Sequence, residues 1–165
     1  MLKKQTEEIC NLAVQKKPYA LEYVKKQTEE LCKLAVQLNG WVLQHVKNQT
    51  YEICKIAVQT EGYAIQFVKN QTLELIELAV LQDGYVLPYI KNQTEEICKL
   101  AVKKNGRALQ YVKNQTYEIC YLAVLQDGCA LEFVCNDCRT NEICYLAVQQ
   151  NKWATNFLRG ISIKY

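Results

Sequence analysis

Apolar and polar positions follow the period of an α-helix for about three turns, break off, and then begin again. In the stretch from Thr50 to Gln59, the apolar Ile53, Cys54, Ile56, Ala57 and Val58 fall on one side and Glu52, Lys55 and Gln59 on the other. That is the spacing of a helix buried over a wide face. Thr50 is placed to cap its start, Glu52 puts an anion in its first turn, and Gly62 is placed to end it in a left-handed turn. The pattern predicts a first helix of about 10 to 12 residues. A second, shorter helix follows, in which Tyr63 and Phe67 stand four apart and so share a face of an α-helix. Asn or Asp at 39, 83, 105 and 127 precedes a glycine and is placed to cap this second helix. Pro18 takes the glycine position in the first copy and suits a first helical turn, whereas Pro88, inside a second helix, predicts a kink or a late start.

The unit recurs. Threonines at 6, 28, 50, 72, 94 and 116 are spaced by 22 residues, and a seventh copy begins at Thr140 after an interval of 24. The two extra residues lie in Cys135-Asn136-Asp137-Cys138-Arg139. A pair of helices this short cannot bury its own apolar face, but stacked pairs share a continuous core. The expected fold is therefore all-α, an α-solenoid of seven two-helix repeats forming one domain over 1–165, with a C-terminal cap and tail over 152–165. Both ends depart from the consensus: Lys16-Lys17-Pro18 replaces the glycine turn in copy one, and copy seven has Lys152 for Gly and Thr155 for Leu, as polar caps would. Such an array presents an extended surface rather than a deep pocket.

Charge narrows the partners little. Twenty Lys plus Arg against 17 Asp plus Glu leave a net +3, too mild to point to nucleic acid or an acidic membrane. The sequence has no long apolar run of transmembrane kind, and Met1-Leu2-Lys3-Lys4-Gln5 lacks the apolar stretch of a secretory signal. The expected location is cytoplasmic, neither secreted nor membrane-bound.

The phrases Lys47-Asn48-Gln49-Thr50-Tyr51-Glu52-Ile53-Cys54 and Ala101 through Val112 resemble a short helical repeat catalogued only as a domain of unknown function. That family is abundant in mimivirus-like giant viruses of amoebae and occurs in some amoeba-infecting bacteria. The resemblance runs from Thr6 to about Arg159, and the insertion at 135–139 departs from its spacing. It implies a helical repeat array of viral or intracellular-parasite origin, and it brings no activity, cofactor or site residues.

Several rows of residues invite a chemical reading. Of nine cysteines, those at 10, 32, 54, 98, 120 and 144 share one repeat position, which Ile76 fills in copy four. That substitution marks the position as a buried apolar slot. Cys129, Cys135 and Cys138 gather at the interruption, and Cys135-x-x-Cys138 has the spacing of half a zinc site, with Cys129, Cys144 or Cys120 as the remaining candidate ligands. A labile disulfide and a tolerated insertion are the alternatives, and no cofactor is expected. Glutamates at 8, 30, 52, 74, 96, 118 and 142 sit in first turns with lysines at 25, 47, 69, 91 and 113 just upstream, a pattern of capping and inter-repeat ion pairing. The Asn-Gln-Thr sequons at 48, 70, 92 and 114 read as helix boundaries rather than glycan acceptors. Aromatics pair along the second helices, as in Tyr19 with Tyr23, Trp41 with His45, Tyr85 with Tyr89 and Trp153 with Phe157, and read as a stacked core, His45 included.

The exposed stripe of the first helix, at the second, sixth and tenth positions of each copy, varies most. Copy five shows Glu95, Lys99 and Lys103, a solvated face, while copy six shows Tyr117, Tyr121 and Leu125, with Tyr145 beside Tyr121 in copy seven. Leu73 and Leu81 interrupt the same stripe in copy four. Grouped exposed tyrosines are typical of protein interfaces; the alternative is cover by the tail Ile161–Tyr165. No Gly-rich phosphate loop, His-Glu metal helix or nucleophile with its base is present. The expected function is a non-enzymatic scaffold or adaptor for a host or viral protein, with self-association possible. The other reading is a nucleic-acid-binding array using the lysine and aromatic rows, which the matching glutamates disfavour.

Overall fold

The computed structural model describes residues 5–158. The fold is of the all-α repeat class that the periodicity predicts. Among the described residues there are seven α-helices and no strand: α1 (Glu7–Lys16), α2 (Glu29–Leu38), α3 (Tyr51–Thr60), α4 (Leu73–Gln82), α5 (Glu95–Lys104), α6 (Tyr117–Gln126) and α7 (Asn141–Gln150). Each α-helix has ten residues and leads into a 3₁₀-helix of six, from Pro18–Tyr23 in the first repeat to Lys152–Phe157 in the seventh. The two extra residues of the sequence form an additional 3₁₀ turn, Asn136–Cys138.

Every α-helix starts at its threonine, whose Oγ1 accepts the N–H three residues on, at 3.4 Å for Ile53 and 3.2 Å for Ile143. The ends differ from expectation. Glu61, which closes α3, is extended with φ −144°, and Gly62 is the first residue of the next 3₁₀-helix rather than a left-handed terminator. Glycine is needed for space instead. A Cβ on Gly40 would lie 2.5 Å from the carbonyl oxygen of Ala57 in the following repeat, and at Gly84, Gly106 and Gly128 it would meet the equivalent alanine carbonyl closer still.

The second element is 3₁₀ and not α. Six residues in an α-helix leave most N–H groups without a carbonyl, whereas the tighter i→i−3 pattern satisfies more of them. The change of period undoes the expected aromatic pairs, because residues four apart no longer share a face. Rings meet across repeats: Trp41 stacks on Tyr63 at 6.4 Å and meets Phe67 edge-on at 5.9 Å, His45 meets Tyr19 at 5.8 Å, and Tyr85 meets Tyr111 at 6.1 Å. These rings are not core either, since Tyr19, Tyr23, Tyr89, Tyr111 and Trp153 are exposed. Asn39, Asp83, Asp127 and Asn151 cap the 3₁₀-helices through their side chains. Asn105 does not; its Oδ1 accepts from Gly84 N in the preceding repeat at 3.0 Å. Pro88 neither delays nor shortens Gly84–Tyr89, which keeps the six residues of its counterparts. It stands at an exposed position where Gln44, Gln66 and Gln110 fold back onto the carbonyl three residues before them.

Packing divides the chain into two compact units, one ending at Ala79 and the other beginning at Val80, so the boundary falls inside α4. In the first unit α2 packs on α1 and α3 on α2; in the second α6 packs on α5 and α7 on α6. The core is aliphatic. Leu43, Ile53, Ile65 and Leu75 are fully buried in the first unit, and Leu87, Ile97, Leu109, Ile119, Leu131 and Ile143 in the second. Fully burying each such side chain contributes about 1.5–3 kcal/mol. No buried residue is polar or charged among those described.

Candidate functional site

The tyrosines of the exposed stripe stand on α6 and α7. Tyr117 and Tyr121 are one turn apart on α6 and stack at 6.2 Å with their planes 27° apart. The Tyr117 hydroxyl donates to Glu142 of α7 at 2.7 Å, and that bond pushes the phenol's pKa up. Tyr117 is 42% exposed, Leu125 50% and Tyr145 49%, with Tyr121 half-buried between them. Two rings, an aliphatic side chain and a third ring in the same register on the neighbouring helix thus share one face. Leu73 and Leu81 are exposed on α4 as the stripe predicts. The tail Ile161–Tyr165, proposed as a cover, lies outside the described residues.

The glutamate row does pair between repeats, but with other partners than the upstream lysines. Lys55 reaches Glu74 at 3.0 Å and Lys99 reaches Glu118 at 2.6 Å, both from the sixth position of the preceding copy. The Lys47 ammonium instead donates to the carbonyls of Val24 and Lys25, and that of Lys69 to Lys47. A depression of about 400 Å³ in the first unit is lined by Lys25, Lys26, Lys47 and Thr50, with Glu29 also on its wall.

Cys32, Cys54, Cys98 and Cys120 occupy their common slot with a hydrogen bond as well as burial. Each sulfur lies 3.4–4.0 Å from the Oε1 of the glutamine five residues before it. Burial pushes all four thiols up, and Cys144 likewise. These are thiols held protonated.

At the interruption the structure places Cys138 near Cys135 and near Cys120 of the buried row, close enough for the thiols to influence one another's ionisation. Cys138 is itself buried, which together with the neighbouring Cys135 pushes its thiol up, and its sulfur lies 3.6 Å from Gln115 O. The other two candidates are engaged elsewhere: Cys129 accepts from Asn151 Nδ2 at 3.3 Å, and Cys144 is buried near Arg139. Among the described residues no group of three or more His, Cys, Asp or Glu side chains is placed to hold a metal ion.

One row escapes a reading by chemistry, the glutamine before each threonine. Gln49 Nε2 donates to Leu43 O in its own repeat and to Phe67 O in the next, while its Oε1 accepts from Lys69 N and Cys54 Sγ. Gln27, Gln93 and Gln115 repeat the arrangement. Each is a staple joining two repeats through backbone groups that carry no sequence information. Before the seventh threonine Arg139 takes the place, with Nη2 donating to Leu131 O and Val134 O and Nη1 to Phe157 O. The extra turn Asn136–Cys138 thus accompanies a longer staple residue. The invariance of Gln at 5, 27, 49, 71, 93 and 115 was the available signal.

No helix among the described residues is long and apolar enough to cross a membrane. A family model described as "Domain of unknown function (DUF4116)" matches residues 72–117 and again 94–139. The two matches are offset by 22 residues (94 − 72), one repeat of this chain. No curated protein matches the chain, and no solved structure does.

Proposed function

We propose that this helical repeat protein is a non-enzymatic scaffold that binds a protein partner on the face formed by Tyr117, Tyr121, Leu125 and Tyr145. The observation that carries the reading is the Tyr117–Tyr121 stack fixed by Glu142. Rings ordered before binding lose little side-chain entropy when a partner covers them, and tyrosine presents a large apolar face with a polar end, the chemistry enriched at interface centres. Equivalent stripes on α5 and α1 carry Glu95, Lys99 and Lys103 or Glu7, Asn11 and Gln15; α3 and α4 expose Tyr51, Leu73 and Leu81 there, but the grouped rings stand on α6 and α7. The partner is a host protein or a neighbouring viral component, met in the cytoplasm.

A nucleic-acid partner would use the lysine row, yet the heads of Lys47 and Lys69 are occupied by backbone carbonyls and so release fewer phosphate counterions than free ones would. The test is capture from infected-cell lysate in high salt with nuclease, using the native chain and a Tyr121→Ser/Tyr145→Ser variant as baits. One protein retained by the native chain and lost by the folded variant is the expected result. Retention by both, or recovery only of nucleic acid that salt removes, overturns the proposal.

A further inference from the structure

Five of the six junctions between repeats begin with a lysine, at 25, 47, 69, 91 and 113. At the sixth, Cys135 takes the lysine's place, and the extra turn carries Cys138 three residues on. Cys135 keeps the backbone bond of that position: its N–H donates to Gln115 Oε1 at 2.8 Å, as the N–H groups of Lys47, Lys69 and Lys113 donate to Gln27, Gln49 and Gln93. The Cys138 thiol in turn donates to the backbone oxygen of Gln115, with its sulfur at 3.6 Å. One residue, Gln115, thus holds both ends of the turn.

The turn also sets the two cysteines at bridging distance. Cys138 N–H donates to Cys135 O at 3.2 Å, the i→i+3 bond of a tight turn. Such a turn holds its end Cα atoms within about 7 Å and, with 3₁₀ geometry, brings the side chains at i and i+3 to one side. A disulfide needs its Cα atoms about 4.4–6.8 Å apart. The cysteines of the buried row come one to an α-helix, with no such turn between them. Access is graded within the pair: Cys135 is half-buried and next to the exposed Asn136 and Asp137, whereas Cys138 is buried.

We infer that Cys135 and Cys138 form a thiol–disulfide exchange site whose substrate is a low-molecular-weight disulfide of the glutathione kind. The Cys135 thiol gives its proton to solvent, its thiolate attacks one sulfur of the small disulfide, and one small thiolate leaves. The Cys138 thiol then gives up its proton, and its sulfur attacks that of Cys135 and displaces the second small thiolate. Two protein thiols are oxidised to one disulfide, and the small disulfide is reduced to two thiols, which take up the two protons. Burial and the neighbouring Cys135 push the Cys138 thiol up. Cys138 is therefore a slow leaving group when an outside thiol attacks Cys135, so the bridge persists once formed. This proposal is independent of the tyrosine face on α6 and α7.

The test incubates the native full chain with oxidised glutathione and then unfolds it in guanidinium with an alkylating reagent. Reduction follows, and the thiols it releases take a heavy form of the same reagent before peptide mapping. Heavy label on Cys135 and Cys138, with light label on the other cysteines, is the expected result. Cys138→Ser should retain one glutathione on Cys135, because the second displacement is lost, and Cys135→Ser should leave Cys138 reduced over the same period. The oxidation equilibrium of the folded chain should favour the bridge about tenfold or more over that of the chain unfolded in urea, because the turn has already closed the loop. The native-chain labelling and this comparison stand without either variant, should a serine disturb the fold. Heavy label that is absent, confined to Cys135, or found on Cys120 and the buried row overturns the proposal, as do equal equilibria in the folded and unfolded chain.

Discussion

Gln49 shows how single side chains hold neighbouring repeats in register. Its amide serves four groups on two repeats at once, so Gln49→Ala strands two carbonyls, an N–H and a thiol. With each unsatisfied buried group costing about 1–3 kcal/mol, the variant should lose about 2 kcal/mol or more in urea unfolding; a loss under about 0.5 kcal/mol would show that water replaces the staple. The thiols around it give a second prediction. Burial raises Cys32, Cys54 and Cys98 above the ordinary 9.0, so as pH rises through 9 the unfolded chain deprotonates first. Their contribution to stability is complete below that pH and declines toward the folded-state values. Melting temperatures should fall above pH 9, and less steeply when the three are alanine; equal slopes would contradict the assignment. By the same burial, an alkylating reagent at neutral pH should modify the half-exposed Cys135 well before these three.

At the scale of elements, much of the chain was legible because each repeat checks the others. The seven threonine caps and a first helix of about 10 to 12 residues, ten as observed, followed from periodicity, and Ile76 among the cysteines identified a buried slot. The second element was misread because a six-residue span carries too little pattern to separate a period of 3.6 from one of 3.0. The aromatic pairs at i and i+4 failed with it. Gly62 was misread for a related reason: a glycine after a helix need not be a left-handed turn, and here it opens the 3₁₀-helix; at Gly40, Gly84, Gly106 and Gly128 the demand is for room beside the next repeat's alanine carbonyl, which only the packing shows. Gly106→Ala tests the steric reading, because its φ is not left-handed and a helical alanine would otherwise be neutral or favourable. The expected cost is about 1–3 kcal/mol by thermal unfolding, and a stabilised variant would refute it. The tyrosine stripe was legible as composition, but not the Glu142 bond that fixes Tyr117, which needs the packing of α7 on α6.

For the whole molecule, repetition supplies the fold, and departures from repetition supply the candidate function. The stripe that is charged on α5 becomes aromatic on α6. An account based on repeats therefore places binding where copies diverge and stability where they agree. The most direct test is backbone hydrogen exchange on the native chain with and without the protein it captures. The account predicts added protection over the exposed positions of α6 and α7, Tyr117 through Leu125 and around Tyr145, with α2 and α3 unchanged. Protection concentrated instead on the Lys25–Thr28 and Lys47–Thr50 segments, with α6 and α7 unaltered, would contradict it.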